Sequence, residues 1–172
     1  AETFGTIAAE HGGSAFDWAS QTEARTALWT MRHNAYYALL ALRPGARAIV
    51  TDICVPISKL AEAIEETRTD LAEAGVLGPI VGHVGDGNFH ATLLVDTGNA
   101  EEVARAKAAA ARMVERSRRL GGTATGEHGI GVGKLDYMDA EHGKGWAMMG
   151  AIKTALDPDN IMNPGKLVPP RT

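Results

Sequence analysis

The chain has one cysteine, Cys54, in 172 residues. An internal disulfide framework needs cysteines in pairs, so none can form. Cys54 lies in the apolar run "AIVTDICVP" and reads as core, in a reducing compartment or one to which the thiol is indifferent. No apolar run reaches membrane-spanning length, and the first residues carry no secretory signal pattern. A soluble, cytoplasmic protein is therefore expected. An excess of positive charge is also lacking: the net charge is −4, which gives nucleic acid no electrostatic footprint and requires any cationic site to be local. Internal repeats and low-complexity segments are absent. The length suits one domain, residues 1–172. An opening Ala1 in place of Met points to a piece of something longer.

Glycine, in contrast, is abundant, with 20 residues that cluster around 82–87 and 121–133. Such clusters mark tight turns or backbone that approaches a ligand closely. Around them the periodicity predicts a helix over 21–42, with Leu28, Met31, Ala35, Leu39 and Leu42 at helical spacing and Pro44-Gly45 as its stop. Arg32 and Tyr36 share one face of it. A strand over 47–56 follows, then a helix over 58–74 with Ile57, Leu60, Ile64 and Leu71 inward and Gly75 as terminator. Residues 76–84 and 88–95 read as hairpin strands. Asn99 and Glu102 resemble a capping box that opens a helix to Leu120, followed by a short strand at 123–125. One more helix over 141–156 leads into the turn-rich tail "DPDNIMNPGKLVPP". Strand, helix, strand, strand, helix, strand is the ferredoxin-like split βαβ order: an α+β fold, an antiparallel sheet with helices on one face.

The hairpin stretch "VGHVGDGNFH" carries two histidines about an Asp-Gly step. A type I′ turn centred on Asp86-Gly87 would pair residue 83 with 90, from where two imidazoles can converge on a metal ion. The alternative is a pair of packed histidines beneath a tight turn. The second dense stretch, "GGTATGEHGIGVGK", lacks the spacing of a Walker A loop and of the dinucleotide fingerprint. What it does display is Glu127 beside His128. If the strand at 123–125 joins the hairpin's sheet, Glu127 becomes a third ligand. Two imidazoles and a carboxylate with a position left open suit a catalytic zinc, manganese or ferrous ion. The plainer alternative is a solvated loop with a surface ion pair. Arg32 is either a surface charge or a bidentate clamp on a carboxylate. Thr92, two residues after His90, shares its face and reads as cross-strand filler.

"GHVGDGNFH", "TGEHGIGVGK" and "LDPDNIMNPGKL", in this order, resemble the C-terminal half of the FAD-linked oxidases of the vanillyl-alcohol oxidase superfamily. The resemblance runs over nearly the whole chain and is nearest to the branch of the D-lactate dehydrogenases (cytochrome) and the glycolate oxidase flavin subunits. It implies that His83, His90 and Glu127 hold a divalent metal and that His128 is the base taking the hydroxyl proton of a 2-hydroxy acid. It further implies that Arg32, with Tyr36 beside it, receives the substrate carboxylate, and that Asn163 packs toward the flavin half. FAD would take the hydride and pass electrons to an acceptor such as a cytochrome or quinone. Dicarboxylate-handling relatives carry a second cationic side chain and an asparagine where this chain has Val50 and Thr92. That puts Thr92 among the substrate residues and favours D-lactate over 2-hydroxyglutarate, unless Arg47 compensates. The resemblance also implies a separate FAD-binding domain, whose phosphate loops this chain lacks, and hence no turnover by the chain alone. Peripheral membrane attachment follows for the whole enzyme if its acceptor is membrane-bound. Two rival readings use the same residues: a free-standing metal-dependent hydrolase, and a non-catalytic ferredoxin-like interaction module.

Overall fold

The computed structural model describes residues 1–13, 16–166 and 168, and divides into two units, Ala1–Pro44 and Gly45–Thr172. In the first unit, α1 (Glu2–Glu10) precedes α2 (Thr22–Ala41). The α2 helix ends just ahead of Pro44, whose ring and missing N–H bar a further turn. Of its periodic residues Leu28, Ala35 and Leu39 are half-buried, while Met31 and Leu42 are exposed.

The second unit is built around one strand. Its elements are β1 (Arg47–Val50), β2 (Ile53–Cys54), α3 (Leu60–Glu73), β3 (Ile80–His83), β4 (Asn88–Val95), α4 (Ala100–Arg119), α5 (Leu135–His142) and α6 (Lys144–Leu156). β4 is central, with β1 and β2 antiparallel along one side and β3 antiparallel along the other. A single bridge between Cys54 and Thr123 extends the sheet beyond β2. This is the split βαβ arrangement expected from the sequence, with its fourth strand reduced to that bridge. The chain leaves the sheet there because local oxygens take its donors. Thr123 Oγ1 accepts the Thr125 N–H, and Glu141 accepts the Ala124 N–H and the Thr123 hydroxyl.

β4 is buried at all eight positions. Its odd-numbered side chains Phe89, Ala91, Leu93 and Val95 join Ile53 and Val55 with Leu60, Ala63 and Leu71 of α3 and Ala106, Ala109 and Met113 of α4 in one core cluster. Its even-numbered residues Asn88, His90 and Thr92 fall on the opposite face by strand alternation.

Four local expectations are corrected. The strand over 47–56 is interrupted at Thr51-Asp52, although the pairing count carries through: Val50 faces Thr92 and Ile53 faces Phe89, which sets Asp52 opposite His90. The hairpin register differs by two, since His83 faces Asn88 and Val81 faces His90. A type I′ turn needs positive φ at both central residues. Gly87 supplies it with φ 74°, but Asp86 closes a right-handed 3-10 turn, Val84–Asp86, so the connection takes four residues. A slip of two leaves each side chain on its face, whereas a slip of one would reverse it. His83 thus stays on the side of His90, displaced diagonally. The helix expected over 141–156 begins at Lys144 as α6, and a further helix, α5, stands ahead of it over Leu135–His142, the two parted at Gly143, where φ is 52°. Ile57, expected inward, is exposed in the 3-10 turn that precedes α3.

Candidate functional site

The site is assembled from β4, the end of β3 and the glycine-rich loop. His90, on the central strand, is 7% exposed. Its orientation follows from an exchange of backbone partners at the interruption between β1 and β2. There the Ala91 N–H donates to the Thr51 hydroxyl at 2.9 Å, and the Thr51 carbonyl lies 3.0 Å from His90 Nδ1. Nδ1 therefore carries hydrogen and donates to that carbonyl, and Nε2 faces the site. At 2.7 Å from Nε2 stands Glu127 Oε1.

Glu127 gathers the other candidates. Its Oε1 is 3.6 Å from His128 Nε2, and its Oε2 is 3.7 Å from His83 Nε2. The rings of His90 and His128 lie 4.9 Å apart. Ligand atoms of His90, Glu127 and His128 all fall within 4.8 Å of one another. His83 approaches the carboxylate from its other oxygen, beside a cleft of about 310 Å³ lined by Cys54, His83, Asp86, Asn88, Gly126 and Glu127.

The donor set fits a cation. A neutral imidazole has one N–H, and in His90 the Thr51 carbonyl takes it. Its Nε2 lone pair then faces a carboxylate oxygen 2.7 Å away, so two electron-rich atoms are directed at the same small space, where a cation bound beside them would be shared by both. A backbone carbonyl on the far nitrogen is also the partner that orients metal-ligating histidines. Imidazole and carboxylate ligation suits zinc, manganese or iron and does not choose among them.

A further residue, outside both glycine-rich motifs, organises the site: Asp52, which is 2% exposed. It accepts the N–H groups of Glu127 (3.1 Å to each oxygen) and His128 (2.9 Å), the Lys134 ammonium (2.9 Å) and the Asn88 amide (3.0 Å). Burial pushes its carboxyl up, but the His128 N–H, Lys134 and Asn88 together outweigh burial and hold it at about 2. Gly126 is confined between the same groups, for a Cβ there would overlap the Asn88 amide and the Asp52 carboxylate. Asp52 was visible as the one charge in "AIVTDICVP", and a carboxylate within a buried strand must have donors around it. Asn88 has a buried Oδ1 without a partner among the described residues.

Cys54, expected in the core, is half-buried at the cleft wall, where burial and the charges of Asp52 and Asp86 push its thiol up. Thr92 is 2% exposed, shares the face of His90 and stands opposite Val50. Arg32 and Tyr36 belong to α2 in the first unit. Asn163 is exposed in the tail with φ 46°, its carbonyl accepting the Lys166 N–H. The tail turn itself is gathered by Asp157, which accepts from Lys153 and from the Ile161 and Met162 N–H groups. Lys153 and the Ile161 N–H, with help from that of Met162, hold the Asp157 carboxyl at about 2 despite opposing desolvation. Within the tail motif, Leu167, Pro169 and Pro170 lie outside the described residues.

Comparison with known proteins supplies the wider context. The family model "FAD linked oxidases, C-terminal domain" matches residues 1–167. Over 163 residues the chain is 47% identical to a probable mitochondrial D-lactate dehydrogenase of Danio rerio, covering 94% of this chain and 33% of that protein. It is 42% identical over 165 residues to the mitochondrial D-lactate dehydrogenase [cytochrome] of Arabidopsis thaliana, covering 95% and 29%. It is 39% identical over 150 residues to glycolate oxidase subunit GlcD of Bacillus subtilis, covering 86% and 32%. The chain thus spans about a third of the length of the curated relatives it matches.

Proposed function

Because the chain belongs to the FAD linked oxidases through their C-terminal domain, we propose that residues 1–172 form the substrate- and metal-binding domain of a flavin-dependent 2-hydroxy acid dehydrogenase acting on D-lactate. The observation that carries the reading is the Glu127 carboxylate flanked by His90, His128 and His83. His83, His90 and Glu127 are the metal ligands and His128 the base. When bound, a divalent cation makes the substrate hydroxyl more acidic, and FAD accepts the hydride from C2.

The chain's own residues do the rest. His128, half-exposed at the edge of the cluster, takes the hydroxyl proton on its imidazole as C2 is oxidised, leaving pyruvate. His90 is anchored: its ring is buried and its far nitrogen is bonded to the Thr51 carbonyl. Arg32 and Tyr36 receive the substrate carboxylate, the guanidinium in two parallel hydrogen bonds that a lysine cannot reproduce. The Val50–Thr92 pair brings no second cation, which favours a monocarboxylate. Asn163 and the tail turn meet the flavin-binding domain. Electrons leave through an acceptor such as a cytochrome or quinone, and the relative from Arabidopsis thaliana is named for the former. No described helix is long and apolar enough to cross a membrane. Cytoplasmic residence, with peripheral attachment of the whole enzyme, belongs to the same proposal.

The test is anaerobic flavin reduction by D-lactate in the complete flavoprotein. The parent should bleach the flavin absorbance, lose that ability with chelator, and regain it with Mn²⁺ or Zn²⁺. His128→Ala should slow bleaching by about 10²–10⁴-fold, the usual contribution of a positioned base. Bleaching at the parental rate in that variant, or indifference to metal removal, would refute the assignment.

A further inference from the structure

We propose that Asp52 and Lys134 form a latch that fixes the loop bearing Glu127 and His128, making both positioning residues for the metal ligand and the base. The proposal rests on the function above, but its structural part can be tested independently.

Three observations converge. First, the Asp52 carboxylate binds two successive backbone N–H groups, those of Glu127 and His128. Fixing two consecutive amides sets the directions in which both side chains leave the backbone. Second, Lys134 reaches back to Asp52 Oδ2 at 2.9 Å from the far end of the same loop, so one buried carboxylate holds the loop at both ends. Third, glycine-rich backbone from 126 to 133 has little internal means of holding a conformation. The chain is here held from outside by a residue between β1 and β2, and Gly126 leaves just enough room for Asp52 and Asn88 to touch it. Because Asp52 stands opposite His90 in the strand register, the segment paired with the ligand-bearing strand β4 also aligns the loop that carries Glu127 and His128.

Lys134 touches neither substrate nor metal in this scheme. Its effect runs entirely through Asp52, and that makes the idea falsifiable. In the complete flavoprotein, Lys134→Met should leave the fold intact and speed amide hydrogen exchange at Glu127 and His128 at least about tenfold. Asp52→Asn should speed it further. Mn²⁺ affinity, read by paramagnetic resonance of the free ion, should fall about 10- to 100-fold in Asp52→Asn, as for other partners that orient ligands. kcat for D-lactate should fall more than KM changes. Asp52→Asn/Lys134→Met should be no worse than Asp52→Asn alone, since residues acting as a unit are not additive. Lys134→Arg, which keeps a cation beside Asp52, should hold exchange at Glu127 and His128 to within twofold of the parent. Unchanged exchange at Glu127 and His128 in both single variants would overturn the latch, whatever the metal does. Additive losses would also overturn it. If exchange responds as expected while the parent itself binds no Mn²⁺, the latch stands and the proposed function falls.

Discussion

Strand β4 sets two kinds of surface back to back. On one side Phe89, Ala91, Leu93 and Val95 pack into the α3/α4 core; on the other stand Asn88, His90 and Thr92. Both sides are buried, so burial alone does not separate core from site. The difference lies in what neighbours each side chain. Apolar residues need shape and the absence of water, whereas each buried polar residue must find a specific partner. His90 has Thr51 and Glu127, and Asn88 has Asp52 and Ile53. One side therefore stabilises the fold, and the other sets polar side chains against named partners, among them the Glu127 carboxylate.

Substitutions on adjacent residues sharpen this contrast. Phe89→Ala removes a fully buried ring from the core side and should lower unfolding free energy by about 3–5 kcal/mol, read from the urea midpoint. The molecules that remain folded should bind Mn²⁺ as the parent does. His90→Ala, one residue along, should cost about 1–3 kcal/mol, the usual range for disturbing a buried hydrogen-bonded group, while abolishing high-affinity Mn²⁺ binding. Equal metal loss in both variants would erase the distinction between the two sides. The smallest effect is expected at Asn99→Ala, where the Glu102 N–H loses its cap on α4. Stability should drop by about 1 kcal/mol with metal binding untouched. A loss of Mn²⁺ affinity there would show that the helix layer is coupled to the site.

Much of this was legible in the chain. Helix periodicity, the Asn99 cap and the order of elements gave the layout, because each is a local signal repeated over many residues. The hairpin's face assignment survived a wrong register because the error was an even number of residues. Turn geometry was not legible: "GDG" is compatible with several loops, and the conformation of Asp86 is decided by the whole connection. Nor could the sequence give the role of Asp52, which depends on donors from residues 88, 127, 128 and 134 that meet only after folding. The break at Gly143, by contrast, had a visible signal: "EHGKG" carries no apolar residue from 141 to 145, and its first glycine takes the positive φ that parts the two helices.

The exchange at Thr51 has an evolutionary corollary. A single hydroxyl takes over the ladder contact that a main-chain oxygen would ordinarily make, and so releases that oxygen to fix the tautomer of the neighbouring ring. Serine could inherit this post; valine, though nearly identical in outline, could not. Substitution patterns at position 51 should therefore follow hydroxyl chemistry in any lineage that keeps an imidazole at position 90, even though both positions sit where strand preference alone would welcome a hydrocarbon.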